Sequence, residues 1–279
     1  MSSYRFCRTD DVSLLVDALN RCWSPYFPDE PPMTAAVFKR SIRDLQVWCS
    51  SCMVAFSGSD PIGVLIGAKR PSGTLVHKIA VHPDHRRQGH GQHLLTSLSS
   101  KLAILGPPRM IAEVPETLAA TCDLFNASGY VQEALLTDYA LDSTDVGAVG
   151  SGGYLIPVTV GDLEANGLLR DAHPQFYWER AVDSLMARKD ELEGLAVASD
   201  EHIEAYVLYS GGEILALRSF VEDGGARLTQ LLAQLRARGM RTFWFPKVHP
   251  AEISGDVLKT LGFRPTGRHL LYAAKARST

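Results

Sequence analysis

Arg86-Arg87-Gln88-Gly89-His90-Gly91 is the stretch of this chain best suited to chemistry. Glycines let a backbone approach a ligand closely and turn its N–H groups inward. The arginines add whole positive charges, and a helix N-terminus adds partial ones. The apolar positions Leu94, Leu95, Leu98 and Leu102 indicate that helix. Upstream, Leu75-Val76-His77-Lys78-Ile79-Ala80-Val81 reads as a strand, and His82-Pro83-Asp84-His85 as the turn after it. Strand, glycine loop and helix start together make a place for an anion, and a pyrophosphate fits it.

The spacing narrows which pyrophosphate. A Walker loop ends in Gly-Lys-Ser/Thr, which is absent here. A dinucleotide-binding turn needs G-x-G-x-x-G, and this loop has fewer glycines. What remains is Arg86-x-x-Gly89-x-Gly91 behind a Val81-His82-Pro83 strand exit. That pattern resembles the coenzyme A loop of the GNAT superfamily of N-acetyltransferases. The competing reading is a surface turn rich in His and Arg.

The resemblance implies acetyl-CoA as co-substrate. Its pantetheine arm would pair like an extra strand with Ile79, Ala80 and Val81. Its pyrophosphate would meet the N–H groups of Arg87, Gln88, Gly89, His90, Gly91 and Gln92, with Arg86 opening the motif. An N–H near Val81 would stabilise the developing oxyanion. Relatives often carry a glutamate base four residues before the strand's final Val, a position held here by His77. Counting by twos puts His77 on one face with Ile79 and Val81, and an imidazole titrates near neutrality. A packed strand histidine is the other reading of His77. Glu113, ending the next strand, is the second candidate base. The usual acid, a tyrosine, is replaced by Phe125, and an Asn common in relatives by Leu118. Tyr130 and Tyr139 are the remaining phenols considered for that role.

Other constellations carry less. His82, His85, His90 and His93 have no carboxylate or thiol at matching spacing beyond Asp84, so no metal is expected. Five cysteines make no disulfide framework. Cys49 and Cys52 fall in a segment that reads as a strand, 47–57, where residues three apart face opposite ways. Free thiols follow. A net charge of −3 gives no case for nucleic acid or an anionic membrane surface. No apolar run approaches a membrane span, and the start lacks the apolar core of a signal peptide, so cytoplasm is the expectation.

The 279 residues suffice for two domains. Residues 143–153, rich in Gly, Ser and Asp, read as a linker between 1–142 and 154–279. Both halves follow the order β-α-α-β-β-β-α-β-α-β-β and both end a helix on a Gly-aromatic step, Gly129-Tyr130 and Gly262-Phe263. The expected class is α/β (α+β): two tandem GNAT-like domains, each a mixed, mostly antiparallel sheet flanked by helices. In the first half Asp10 and Asp11 are expected to cap a helix, and strands are expected at 130–134 and 137–141. In the second half, Asp162 is expected to cap a helix and 176–190 to be helical. There the loop reads Glu222-Asp223-Gly224-Gly225, with acids in place of arginines, so this half is expected to have lost coenzyme A.

The loop Trp23-Ser24-Pro25-Tyr26-Phe27-Pro28-Asp29-Glu30-Pro31 sits where GNAT domains shape the acceptor pocket. Aromatics beside two acids would suit a cationic amine, or would plug the core. The expected activity is acyl-CoA-dependent N-acyl transfer, from acetyl-CoA to a small-molecule or peptide amine. The alternative is a non-catalytic acyl-CoA-binding or regulatory module. A dimer interface on the second half, and so a homodimer, stays open.

Overall fold

The computed structural model describes residues 2–142, 153–169 and 177–277. The chain forms two compact units, Met1–Ala134 with Leu270–Thr279, and Leu135–His269.

The first unit contains β1 (Ser2–Phe6), α1 (Val12–Cys22), α2 (Ala35–Leu45), β2 (Met53–Ser57), β3 (Asp60–Arg70), β4 (Gly73–Val81), α3 (His90–Leu105), β5 (Arg109–Pro115) and α4 (Ala119–Ala127). Strands β1 to β4 pair in sequence, all antiparallel, and β4 then pairs parallel with β5. The parallel pair needs a crossover, and α3 supplies it. Leu94, Leu95, Leu98 and Leu102 bury one side of α3 in the unit's core, with Met53, Leu65, Val76, Met110 and Phe125. Thr34 caps α2 by accepting from the Val37 N–H.

The second unit takes Leu135–Asp142 of β6 (Val131–Asp142), then β7 (Tyr154–Pro157), α5 (Val160–Ala165), α6 (Val182–Ala187), β8 (Glu193–Ala198), β9 (Ile203–Ser210), β10 (Glu213–Ser219), α7 (Ala226–Ala237), β11 (Thr242–Val248), α8 (Gly255–Thr260) and the start of β12 (Arg264–Lys275). Its plan repeats the first: β7 to β10 are antiparallel in sequence, and β10 runs parallel to β11 after the crossover α7. Leu228, Leu231, Leu232 and Leu235 bury α7 in this unit's own core.

The division differs from 1–142 and 154–279. The expected linker lies outside the described residues except Gly153. Residues 131–142 form one strand rather than two, and the boundary between units falls within it. Another boundary falls within β12, so the chain's last residues complete the first unit. There β12 is the neighbour of β5, and Tyr272 and Ala276 enter the core. Strand pairing is chosen by distant partners, so composition alone does not reveal it.

Local departures have local causes. Asp11 precedes α1 but does not cap it. Its carboxylate accepts the Arg8 N–H at 2.7 Å and pairs with Arg5 at 2.8 Å. Cys49–Ser51 is a 3-10 turn rather than strand, and all five cysteines are free. Asp162 sits at the third position of α5, in a capping box with Thr159. In the expected helix 176–190, Phe176 lies outside the described residues. The rest is α6 between 3-10 turns at Trp178–Arg180 and Lys189–Glu191.

Candidate active site

The parallel pairing of β4 with β5 is confined to Thr74↔Met110 and Leu75↔Ile111. Beyond it the strands splay, and a cleft of about 910 Å³ opens between Val76–Val81 on one side and Glu113–Pro115 on the other. The exposed edge of β4 has a defined polarity. His82 N–H donates to Ile62 O of β3 at 2.9 Å. In an antiparallel pair successive residues turn their polar groups to opposite neighbours. Ala80 and Lys78 therefore bond toward β3, and the N–H and C=O groups of Ile79 and Val81 face the cleft. An extended ligand with amides of its own can pair there as an added strand.

A bulge sharpens the geometry. The register of β3 on β4 passes from Ile66↔Lys78 to Gly67↔Val76, leaving His77 as the extra residue. Simple counting by twos therefore does not fix its direction. The structure nevertheless puts His77 in the cleft lining, together with Glu113.

At the far end the cleft reaches the start of α3. The helix N-cap is Gly89 at φ 83, a left-handed conformation that suits glycine. Arg87 is also left-handed, at φ 62. No side chain caps α3, and no acid lies in its first turn. The N-terminal N–H groups of a helix need partners from outside it. Arg86, Arg87, Gly89, His90, Gly91 and Gln92 line the cleft, as do Ile79, Ala80 and Val81, whereas Gln88 is not among the lining residues. A β-carbon on Gly91 would lie 3.0 Å from Leu124, so a larger residue there would press α3 away from α4. These groups fit a pyrophosphate bearing an extended amide arm. His90 is buried, with Nδ1 2.6 Å from the Tyr4 hydroxyl, and burial holds its pKa below the usual histidine value, with His85 and His93 adding to the shift.

The aromatic loop closes the other side. Trp23, Tyr26 and Phe27 all line the cleft. Phe27 stacks on Trp23 with centroids 4.5 Å apart, and the Lys78 ammonium lies 3.8 Å from the Trp23 ring centroid. Glu30 accepts the indole N–H at 3.1 Å. The chain's own groups thus engage Trp23. The Tyr26 hydroxyl donates to Val81 O at 2.6 Å.

Neither phenol considered as an acid lines the cleft. Tyr130 is buried, its hydroxyl 3.8 Å from Met110 Sδ, and burial raises its pKa. Tyr139 belongs to the second unit. Phe125 and Leu118 line the cleft without a polar group to offer. Sequence reading missed Tyr272, whose ring stacks on Phe125 with centroids 5.7 Å apart and whose hydroxyl bonds Cys122 and Asn126. Burial raises the thiol pKa of Cys7 to about 12 and of Cys22 to about 11, which suits packing rather than nucleophilic chemistry.

In the matching region of the second unit, backbone groups are engaged by the chain's own side chains. Asp223 Oδ1 accepts the Gly225 and Ala226 N–H groups at 3.0 and 3.1 Å, and Oδ2 accepts that of Arg227 at 2.9 Å. Pairing of β10 with β11 is confined to Glu213↔Trp244. Beyond it the Arg180 guanidinium bonds Pro246 O and Lys247 O of β11. Arg180 also pairs with Glu252 at 3.0 Å, a carboxyl whose pKa is raised by burial.

A splayed parallel pair, a bulged strand and an uncapped helix behind a glycine loop together make the cleft of this α/β unit. The sequence profile of the Acetyltransferase (GNAT) family matches residues 13–130, which lie within the first unit. No curated protein matches the sequence. Among solved structures, a tandem GNAT protein from the clavulanic acid biosynthesis pathway is 17% identical, with a TM-score of 0.66 over 100% of both chains. A GCN5-related N-acetyltransferase from Sphaerobacter thermophilus is 14% identical, TM-score 0.66, covering 99% of this chain and 96% of its own. Another from Anabaena variabilis is 12% identical, TM-score 0.70, covering 99% and 73%. The fold is that of tandem GNAT proteins. Among the described residues, no helix is long and apolar enough to cross a membrane, and no group of three or more His, Cys, Asp or Glu could hold a metal.

Proposed function

We propose that the first unit transfers an acetyl group from acetyl-CoA to a small-molecule or peptide amine, and that the second unit binds no cofactor. The observation that carries this is the continuity of the open β4 edge, Ile79 and Val81, with the uncapped start of α3. The arm of acetyl-CoA pairs along the edge, and its pyrophosphate meets the N–H groups of Arg87 and of residues 89–92, beside the Arg86 side chain.

An amine attacks only once its ammonium has lost a proton, and His77 takes that proton, directly or through a water. Glu113 across the cleft is the alternative base. The cleft-facing N–H groups of Ile79 and Val81 meet the negative charge that develops on the thioester oxygen. With Phe125 in place of a phenol, the departing thiolate takes its proton from water.

Acetyl-CoA should bind once per chain by calorimetry, and a screen of amines should release free thiol with at least one acceptor. Binding without turnover for any amine would favour a non-catalytic acyl-CoA-binding module, which the apolar Phe125 and Leu118 support. Two equivalent sites, or none, would defeat the proposal.

A further inference from the structure

We propose that Tyr26 is an internal competitor for the cofactor arm: its hydroxyl holds the Val81 carbonyl that the arm must pair with, and docking of acyl-CoA displaces it. The inference rests on the cofactor reading just given. Val81 C=O is turned toward the cleft by the alternation of β4, and the Tyr26 O–H reaches it at 2.6 Å. One carbonyl along this edge is thus already engaged by the chain itself. Arg86, which opens the pyrophosphate loop, has its guanidinium 5.3 Å from the centroid of the same tyrosine ring. Tyr26 therefore meets both ends of the binding surface, the edge and the arginine. Burial keeps its pKa above the usual phenol value, with Arg86 opposing, so the hydroxyl is protonated and donates throughout the neutral range.

The tyrosine is also placed firmly. It ends a 3-10 turn, Ser24–Tyr26, in which Tyr26 N–H bonds Trp23 O at 2.9 Å and Phe27 N–H bonds Ser24 O at 3.1 Å. Its neighbour Phe27 stacks on Trp23, and Trp23 is tied to Glu30. Moving Tyr26 off Val81 therefore disturbs the segment that walls the acceptor side. Cofactor docking and the shape of the amine pocket are coupled through one hydrogen bond.

Tyr26→Phe removes the donor and keeps the ring. Coenzyme A should then bind roughly three- to ten-fold more tightly, the change one net hydrogen bond carries. The control ligand is 3′-phospho-ADP, the same nucleotide and pyrophosphate without the arm, whose affinity should not change. Thermal melting of both proteins verifies folding. Equal or weaker binding of coenzyme A by Tyr26→Phe would overturn the inference, as would equal tightening for both ligands, which would place the effect on Arg86. If the unaltered protein binds neither ligand, the cofactor reading itself fails and this inference falls with it.

Discussion

The loops ahead of α3 and α7 hold the same place in their units and treat the same electrostatic demand in opposite ways. Each helix starts from a left-handed glycine, Gly89 at φ 83 and Gly225 at φ 90. Each follows a strand with a register slip, at His77 in β4 and at Leu215 in β10. In the first loop the residue two places before the glycine is Arg87, and the helix start has no side-chain cap. In the second it is Asp223, whose carboxylate takes three N–H groups. The bulge residue is a cleft-lining histidine in one and a buried leucine in the other. At the start of α7 the chain supplies its own anion, Asp223, where the start of α3 has none.

The sharpest way to break the contrast is to give the first loop the second's charge. Arg87→Asp should weaken coenzyme A binding by about two orders of magnitude or more, since it deletes a charge-assisted contact and adds a repulsive one. Calorimetry showing near-normal affinity would mean the loop does not hold the pyrophosphate. Giving the first bulge the second's residue comes next. His77→Leu should lower kcat by roughly 10²-fold while cofactor affinity holds. An unaltered pH–rate profile in that variant would move the base to Glu113.

The reverse change is smaller. Asp223→Ala leaves N–H groups at the start of α7 without their acceptor and should cost about 1–2 kcal/mol, read as a lower melting temperature. It should not create a second cofactor site, because Arg180 still engages the Pro246 and Lys247 carbonyls of β11. Binding stoichiometry rising to two per chain would show that Asp223 alone closes the second site.

The smallest effect concerns pH. His90 begins α3 where Ala226 begins α7. Burial, with His85 and His93, depresses the pKa of His90 in the folded state. Below the unfolded value near 6.5 the unfolded chain binds a proton that the folded one resists, so this stability is present above that pH and is lost as pH falls. Melting of the first unit should decline on acidification below about 6.5, and His90→Gln should flatten the decline. An identical decline in the variant would assign it to other groups.

Much of this was legible because it is local. The glycines and arginines of 86–91, the apolar rows on α3 and α7 and the acid at Asp223 each act within a few residues of themselves. The bulge was not legible, since it exists only in the register of β4 against β3. Nor was the bond from Tyr26 to Val81, which joins residues 55 apart in sequence. Cys49–Ser51 read as strand from composition but folds as a turn, where the Cys52 N–H bonds back to Cys49 O. Tyr272 could not be paired with Phe125 from sequence, because β12 finds its neighbour across most of the chain.

That last strand sets a clock on biosynthesis. The first unit needs Leu270 onward beside β5, yet Ala134 leaves the ribosome 136 residues earlier. At roughly 5–20 residues per second the nascent unit waits about 7–27 s with a strand edge unpaired. A messenger truncated between Ala134 and Arg264 yields a first unit with its motif intact and its sheet open, a product for chaperones or proteases.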